Sequence, residues 1–407
     1  MSKLSTDPYK GVRDFYPEDQ SIQNHIFNIW KKTCESFGYV EYNASILEPT
    51  ELYKAKSGEE IVNEQTYSFI DRGERDVTLR PEMTPTAARM VAARKRELSF
   101  PLRWYSIPNV FRYERPQRGR LREHWQLNCD IFGLEGIEAE VEMIKLAYAI
   151  MKNFGAKESD FEVRVNSRNI INKALAELGL SKEQAHKFQK LLDKKNKIDN
   201  FEEETEKIAG RKIEWSLEPD EPLKELMVKL HESGISNVVF DDTLVRGFDY
   251  YTGTVFEVYD TSPENNRALF GGGRYDELLS LFGNEKVTAI GFGMGDVTAR
   301  DFLETRGLLP KYQSSAKLYI APFSKEYIKK SDEVANYLRE KGINISVDYT
   351  GKKVGDQIKK ADKDKIPFVV VIGEDEAKND TFKVKNLFTG EEKISPLSGL
   401  SDIILNS

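Results

Sequence analysis

The sequence contains little cysteine, and it has no hydrophobic run long enough to cross a bilayer. Its two cysteines, Cys34 and Cys129, give neither a disulfide framework nor a metal cluster of the CxxC type. The N-terminus is polar and lacks the apolar segment of a secretory signal. These absences fit a reducing cytosol, or indifference to redox, and we expect a soluble cytoplasmic protein with no membrane partner.

The common glycine-rich nucleotide motifs are also missing. The glycines at 271–273 and in GFGMG at 291–295 belong neither to a P-loop nor to a dinucleotide fingerprint. Placed before a predicted helix at 273–282, the three consecutive glycines would let a ligand or another chain approach the backbone closely. The four histidines are too scattered for a metal triad, so we predict no metal-ligating residues and no Ser/His/Asp catalysis.

Bulk composition bounds the class of protein. At 407 residues the chain is too long for one ordinary core, and we expect two or three domains. Hydrophobic residues make up 39% of the chain, which suffices for packed cores. The net charge of −7 argues mildly against a nucleic-acid partner, although a large acidic protein can still hold a local basic track.

Periodicity indicates several successive regions. Over the first 154 residues the patterns predict a helix at 18–36, an extended stretch ending at Pro49, a helix at 84–96, an antiparallel hairpin of strands at 102–113 and 121–132, and a helix at 137–154. The Lys/Glu-rich stretch from about 168 to 236 is either a helical insertion or a solvated helical spacer. Strand patterns return at 237–258, 266–271 and 286–292, before a helix at 295–306. Beyond a linker at 307–315, alternating apolar runs and helical patterns predict a small α/β domain.

Glu82 is the first candidate site residue. It follows a proline at a predicted strand end, just before a helix. Its carboxylate could take the α-ammonium of an amino acid. Alternatively, it is a first-turn carboxylate that favours the helix dipole, which is the commoner role for an isolated acid at this place.

The basic hairpin FRYERPQRGRLREHWQLNCDIFG at 111–133 is the second candidate. Alternation along a strand would place Arg112 and Glu114 on one face, and guanidinium groups suit phosphate oxygens. An arginine-rich turn is more often a solvated basic hairpin. We nevertheless predict that Arg112 shares a face with Gln126 and Asp130 of the returning strand, which indicates a site for one anionic substrate and one substrate with hydrogen-bond donors.

The segment LVRGFDYYTGTVFEV at 244–258 is the third candidate. Arg246 precedes a predicted aromatic-rich strand that contains Tyr250 and Tyr251. Because arginine stays protonated, Arg246 would act as a fixed cation. The tyrosines could line a ring-binding pocket, or they could simply pack across neighbouring strands.

Together these segments resemble the histidyl-tRNA synthetases, which are class II aminoacyl-tRNA synthetases. The resemblance spans nearly the whole chain and rests on GVRDFYP at 11–17, the FRYE hairpin, LVRGFDYYTG and GGGRYD. It implies an α+β fold with an antiparallel-sheet catalytic domain over 1–312, a helical insertion at about 168–236, and a C-terminal α/β anticodon-binding domain over 316–407. It also implies a homodimer, formed in part by the segment that ends at Pro49.

The resemblance further implies a ligase with two steps. L-Histidine and ATP, with Mg²⁺ on the phosphates, give histidyl-adenylate and pyrophosphate, and a ribose hydroxyl of tRNA(His) then takes the histidyl group. Lysines of the C-terminal domain would offer a local phosphate-facing surface, although a solvated face is the alternative. These lysines are Lys352, Lys353, Lys359, Lys360, Lys363 and Lys365.

By the same resemblance, Arg112 and Arg246 are the catalytic cations at the α-phosphate. The expected histidine-binding residues are Glu82, Met83, Thr84, Arg112, Gln126, Asp130, Arg246, Tyr250 and Tyr251. The expected ATP-binding residues are Arg112, Glu114, Arg120 and His124. Arg120 would lie near the outer phosphates and His124 against adenine. Asp130 stands where glutamate is usual, so its reach toward the imidazole is one methylene shorter.

One position departs more seriously from the family pattern. The third class II motif usually reads GxxxGxxR, with its arginine on the γ-phosphate, and here Thr298 occupies that position. Arg300 lies two residues on, roughly 200° away around a helix, and cannot simply replace it. Either the helix start is remodelled, or another cation such as Arg120 or Mg²⁺ serves instead.

The alternative function is that of a histidine-sensing regulatory paralogue without catalytic activity. Missing catalytic arginines or a missing C-terminal domain would favour it, but this sequence contains Arg112, Arg246 and the C-terminal stretch. For the enzyme, we predict that Arg246→Ala spares folding and histidine binding but lowers adenylation by orders of magnitude.

Overall fold

The computed structural model of this chain describes residues 4–54, 65–192, 195, 198–246, 250–265, 267–283 and 286–406. The chain forms two compact units, Met1–Leu309 and Pro310–Ser407. No helix within those described ranges combines the length and the apolar character that a membrane crossing requires. Strands and helices are numbered below in chain order.

The first helix, α1, runs over Pro17–Ser36, as the periodicity predicts. Proline suits its first turn because the missing N–H would have no partner there. Gly38, with φ of +82°, follows its end. Ile26, Trp30 and Cys34 repeat at helical spacing and are buried, so this face of α1 packs into the main core.

A large sheet dominates the first unit. In the described part of the chain its strand order is β1-β5-β7-β12-β11-β10-β8-β9, and β6 also pairs with β7. The central pairs are antiparallel, and the outer pairs β1–β5 and β8–β9 are parallel. The strands are β1 (Val40–Glu41), β5 (Leu102–Ser106), β6 (Asn109–Phe111), β7 (Glu123–Phe132), β8 (Phe161–Ser167), β9 (Val238–Phe240), β10 (Thr254–Asp260), β11 (Ala268–Arg274) and β12 (Ala289–Gly295). This antiparallel sheet with surrounding helices confirms the predicted α+β fold.

Helices cover the sheet and bury two apolar clusters. The larger cluster joins α1 to three further helices, whereas a smaller cluster lies under α3 and includes Tyr250 and Tyr251. These helices are α3 (Thr84–Arg94), α4 (Glu138–Asn153), α8 (Glu221–Glu232) and α9 (Asp296–Thr305). The smaller cluster matters for the site, because it fixes Tyr250 and Tyr251 ahead of β10.

The helical region after β8 has a core of its own. Ile171, Phe188 and Phe201 are buried together there, with Val245 beside them. Its helices are α5 (Arg168–Glu177), α6 (Lys182–Leu192) and α7 (Phe201–Ala209). The next helix, α8, instead buries its apolar stripe in the main core, so the part with a separate core is narrower than 168–236 by one helix.

Three local predictions are wrong. The three glycines lie inside β11, and only a 3-10 turn at Leu279–Phe282 replaces the predicted helix at 273–282. Tyr250 and Tyr251 precede β10, which begins at Thr254; the hydroxyl of Tyr250 donates to Glu82, and the next ladder-like bond runs from the amide of Thr252 to the carbonyl of Arg274. Arg112 and Glu114 follow the end of β6, because the amide of Tyr113 bonds to the carbonyl of Gln65 instead of continuing the β7 ladder.

A small sheet lies apart from the large one, in the order β2-β4-β3. Its strands are β2 (Leu47–Pro49), β3 (Tyr67–Ile70) and β4 (Asp76–Leu79), and a short helix α2 (Glu51–Lys54) follows β2. Leu47 and Phe69 share one face through the register of β4, and both are exposed. This sheet therefore presents apolar side chains to its surroundings.

The second unit is a five-stranded mixed sheet in the order β14-β13-β15-β16-β17. The first three strands are parallel and the last pairs are antiparallel. Its elements are β13 (Leu318–Pro322), α10 (Ile328–Glu340), β14 (Ile345–Val347), α11 (Val354–Lys363), β15 (Phe368–Ile372), α12 (Glu374–Asn379), β16 (Thr381–Asn386), β17 (Glu392–Pro396) and α13 (Leu400–Leu405). The six lysines singled out in the sequence are exposed on and around α11.

Candidate active site

Arg112 is positioned by the chain that leads into α3. The amide of Phe111 donates to the carbonyl of Arg80 over 2.9 Å, and Nε of Arg112 donates to the carbonyl of Pro81 over 2.8 Å. Two carbonyls in succession thus hold the end of β6 against residues 80–81. Arg112 is thereby fixed beside Glu82.

Arg246 occupies a left-handed backbone conformation, with φ of +62°. A residue other than glycine adopts this conformation at a cost of about 1–2 kcal/mol, so surrounding contacts must hold it. Its guanidinium bonds to Glu257 on β10 and donates to the carbonyl of Gly271 over 3.1 Å. Burial alone would lower the pKa of Arg246, but the Glu257 carboxylate raises it above its usual value. Arg246 is therefore a fixed cation.

Arg112 and Arg246 both line one narrow cavity. Its lining combines two arginines, one carboxylate, two amides and several aromatic rings. The lining residues are Glu82, Thr84, Arg112, Gln126, Asn128, Arg246, Tyr250, Tyr251, Gly271, Tyr275, Gly291, Phe292 and Gly293. The cavity measures about 30 Å³.

Glu82 lies just before the first residue of α3 and is 3% exposed. The hydroxyl of Tyr250 donates to its Oε2 over 3.1 Å. Burial and the Glu82 carboxylate raise the pKa of Tyr250, so the phenol stays protonated and can donate. Thr84 also lines the cavity. Met83, in contrast, is fully buried and lies outside the lining.

Asp130 lies one layer deeper, behind Tyr275. The Tyr275 hydroxyl donates to Oδ1 of Asp130, while Oδ2 is buried without a hydrogen-bond partner among the described residues. Burial raises the pKa of Asp130 to about 7, although the bond from Tyr275 opposes the rise. The pair therefore offers an acceptor at neutral pH that can change its charge in the range where imidazole titrates.

Glycines of β12 leave room for these polar side chains. A Cβ on Gly291 would lie 2.1 Å from Oδ1 of Asp130, and a Cβ on Gly293 would lie 1.9 Å from Nε2 of Gln126. A Cβ on Gly291 would also lie 2.6 Å from the backbone carbonyl of Cys129, so glycine is required there, whereas a side chain at 293 would displace the amide of Gln126. The side chains of Gln126 and Asp130 on β7 therefore lie over the glycine backbone of β12, which we call the floor of the cavity.

Three of the four predicted ATP-binding residues, Glu114, Arg120 and His124, lie outside the cavity lining. Glu114 and Arg120 approach each other at 3.8 Å, and Oε2 of Glu114 is buried without a hydrogen-bond partner in the described part of the chain. His124 lies on the same face of β7 as Gln126. Burial lowers the pKa of His124 to about 3, and the positive charge of Arg112 is the second-largest cause of this shift. His124 is therefore a neutral ring beside a cation.

Sequence reasoning missed three residues of the site. Tyr275, Asn128 and Glu257 all lie at or behind the cavity, but none was singled out. Tyr275 follows the triple glycine in GGGRYD, which was the available signal. Glu257 carries no local signal, because only the pairing of β10 with β11 brings it under Arg246.

The fold is that of a class II aminoacyl-tRNA synthetase: an antiparallel sheet covered by helices. Its site has the matching features, with two arginines in one cavity and a buried acid just before α3. The sequence profile described as histidyl-tRNA synthetase matches residues 11–217 and 202–296, and the profile described as anticodon binding domain matches residues 317–407. The chain belongs to the histidyl-tRNA synthetase family.

Individual relatives agree with this assignment. The chain is 43% identical to the histidine–tRNA ligase of Leptospira biflexa over 410 residues, which cover 95% of this chain and 94% of that protein. It is 37% identical to the histidine–tRNA ligase of Thermoplasma volcanium, with 98% of both chains covered. The fold matches the crystal structure of a histidyl-tRNA synthetase from Nostoc with a TM-score of 0.80, at 23% identity and 99% coverage of each chain.

Proposed function

We propose that this chain is a histidine–tRNA ligase, which activates L-histidine with ATP and transfers it to tRNA(His). The observation that carries the proposal is that Arg112 and Arg246, from separate segments, line one cavity beside buried acids. Two fixed cations suit a reaction in which a carboxylate attacks a phosphate. The hydrogen-bond donors and acceptors beside them suit an amino acid. The anticodon-binding domain favours tRNA as the second substrate.

The first step places negative charge between the two arginines. A carboxylate oxygen of histidine bonds to the α-phosphorus of ATP, and the bond from that phosphorus to the bridging oxygen breaks to release pyrophosphate. Arg112 and Arg246 stabilise the charge on the α-phosphate oxygens. Neither arginine can act as a base, so this half of the reaction depends on positioning and electrostatics.

Histidine is assigned to the inner part of the cavity. Glu82, with Thr84 and Tyr250 beside it, accepts hydrogen bonds from the α-ammonium group. Gln126 and the Asp130–Tyr275 pair hold the imidazole, and Tyr251 forms an apolar wall. Met83 supports these residues from the core and has no direct contact in this assignment.

ATP is assigned to the outer part, from Arg112 toward Arg120. Oε2 of Glu114 makes no hydrogen bond to any residue that the structure describes, although Arg120 lies 3.8 Å away, and it is a suitable acceptor for an adenine amino group. The neutral ring of His124 can stack on adenine without placing a second positive charge beside Arg112. Mg²⁺ enters as part of the nucleotide substrate, because it keeps several waters and binds mainly through phosphate oxygens.

Histidine-dependent exchange between ATP and labelled pyrophosphate tests the proposed reaction. The wild-type protein is expected to catalyse exchange only with histidine present, and to charge tRNA(His). Protein that binds histidine with no exchange would indicate the regulatory paralogue instead. Omission of histidine, and its replacement by glutamine, are the matched controls.

We also propose a homodimer that meets at the small sheet. Leu47 and Phe69 lie on the same face, with β4 between their strands, and are 45% and 49% exposed, so this face offers large apolar side chains to a partner. Phe69→Glu should convert the protein from dimer to monomer in sedimentation velocity. Ile394→Glu, at a position 70% exposed in the second unit, is the control that should leave the dimer intact.

A cytoplasmic location is the last part of the proposal. Cys34 and Cys129 are free, and their sulfur atoms lie 3.4 Å apart in the core of the first unit. Adjacent unbridged thiols suit a reducing compartment.

A further inference from the structure

A cation beside the basic turn has no role in the proposed function. Arg267 directly precedes β11, is partly exposed, and donates from Nη1 to the carbonyl of Arg118 over 2.7 Å. Gly119, with φ of +78°, permits this approach, because a Cβ there would lie 2.6 Å from Nη1. We call Gly119, Arg120, Arg267 and Thr298 the rim.

The rim lies at the outer end of the same floor that bounds the cavity. Gly291, Gly293 and Gly295 alternate on one face of β12, and the first two line the cavity. A Cβ on Gly295 would lie 3.7 Å from Cδ2 of His124 and 3.7 Å from Oγ1 of Thr298. A triphosphate that extends from Arg112 along this face therefore passes His124 and reaches the rim.

Three arginines from the segments around the rim form ion pairs with carboxylates. Arg118 pairs with Asp301 at 2.8 Å, and Arg13 pairs with Asp296 at 2.7 Å. Arg300, the arginine nearest in sequence to Thr298, pairs with Asp19 on α1 at 2.7 Å. No carboxylate in the part of the chain that the structure describes forms an ion pair with Arg267. Its charge is available to an anion.

Thr298 leaves space for this guanidinium. Its hydroxyl donates to the carbonyls of Leu269 and Gly295, over 2.8 and 3.1 Å, so it is committed to the backbone. Its methyl carbon lies 3.8 Å from the same Cβ position on Gly119 that Arg267 approaches. A longer side chain at 298 would compete with Arg267 for that space.

We propose that Arg267 binds the outer phosphates of ATP and the departing pyrophosphate, an inference that rests on the proposed function. As the carboxylate oxygen of histidine bonds to the α-phosphorus, the electron pair of the broken bond goes to the β-phosphate oxygen. Arg267 stabilises that charge with charge-assisted hydrogen bonds. The residue that serves this role thus comes from the start of β11 and not from α9.

The test compares two ligands that share an adenosine group, of which only ATP carries outer phosphates. Equilibrium dissociation constants are measured for ATP and for a non-hydrolysable sulfamoyl mimic of histidyl-adenylate. The variants are Arg267→Gln, which keeps a donor for the Arg118 carbonyl but removes the charge, and Arg267→Lys, which keeps the charge. Arg300→Gln is the control, because it removes an equal charge that Asp19 already neutralises.

Arg267→Gln should weaken ATP binding about 10- to 100-fold, the size expected for losing a hydrogen bond to a charged group, and should leave binding of the mimic unchanged. Arg267→Lys should weaken ATP binding less, and Arg300→Gln should have no effect. Equal weakening of both ligands, or none of either, would overturn the role of Arg267. Wild-type protein that binds neither ligand would instead contradict the proposed function itself.

Discussion

In the cavity, Arg246 is held by Glu257 and by the carbonyl of Gly271, whereas at the rim Arg120 is 63% exposed and Arg267 donates to one carbonyl. The inner cation has its conformation fixed before any substrate arrives. The outer cations keep unused hydrogen-bonding capacity and can follow a ligand. The two regions differ in how much of the binding geometry is prepared in advance.

This difference matches the two parts of the proposed substrate complex. The reacting carboxylate and α-phosphate must meet within a narrow range of geometry, which fixed groups provide. The outer phosphates are flexible and leave after the first step, so mobile cations suit them. Preorganisation is concentrated where the bond forms.

The largest effect is expected from removing the fixed inner cation. Arg246→Ala should lower the rate of single-turnover adenylation by about 100- to 1000-fold, the range for losing a preorganised charge in a site of this kind. It should also destabilise the protein by about 3 kcal/mol, because Glu257, 11% exposed, would keep a buried charge without a partner. The expectation from sequence that this change spares folding is therefore revised.

A double variant separates the two effects of Arg246→Ala. Adding Glu257→Gln should restore the unfolding midpoint in urea but leave adenylation slow. Recovery of adenylation in the double variant would show that Arg246 acts only through stability, and the contrast between cavity and rim would then be lost.

Asp130 gives the next largest effect, which depends on pH. Burial holds its pKa near 7, above the unfolded value, so the native state binds more protons between about pH 4 and pH 7. The contribution of this group to stability is complete below its unfolded pKa and is lost as pH rises through its folded pKa. Asp130→Asn should therefore be more stable relative to wild type at pH 8 than at pH 4, by on the order of 2–4 kcal/mol.

Urea unfolding of both proteins at several pH values measures this difference. A difference between wild type and Asp130→Asn that stays constant from pH 4 to pH 8 would show that Asp130 is ionised throughout.

The smallest effect concerns the floor of the cavity. Gly293→Ala should push the amide of Gln126 out of place, since the new Cβ would lie 1.9 Å from Nε2. The KM for histidine in the exchange reaction should rise roughly 3- to 10-fold, as for one lost neutral hydrogen bond, while the KM for ATP stays the same. A rise in the KM for ATP alone would place Gln126 in the outer region.

Gly355→Ala is the control for this change. Gly355 lies in α11, where a Cβ would meet nothing within 4 Å, so alanine should stabilise the helix by about 0.5–1 kcal/mol without altering exchange.

The fold class was predictable because the hydrophobic periodicity over long stretches and the resemblance to one family indicated the same fold. The α1 periodicity and the hairpin of β5, β6 and β7 follow from apolar spacing alone. The triple glycine was misread, because its meaning lies in crowding by neighbouring strands: a Cβ on Gly272 would lie 1.9 Å from the carbonyl of Gly291. No local pattern carries that information.

The site was predictable only in part. Seven of the residues singled out in the sequence line the cavity: Glu82, Thr84, Arg112, Gln126, Arg246, Tyr250 and Tyr251. Asp130 reaches it through Tyr275, and the partners that fix the charges, Tyr275 and Glu257, depend on strand pairing far along the chain. The roles of all these residues stay predictions until substrates are bound.

A crystal structure with histidine and a non-hydrolysable ATP analogue is the most direct measurement. The guanidinium groups of Arg112 and Arg246 should both donate to oxygens of the α-phosphate, with the imidazole of histidine toward Asp130 and Tyr275. An α-phosphate bound by only one of these arginines, or by neither, would contradict the account.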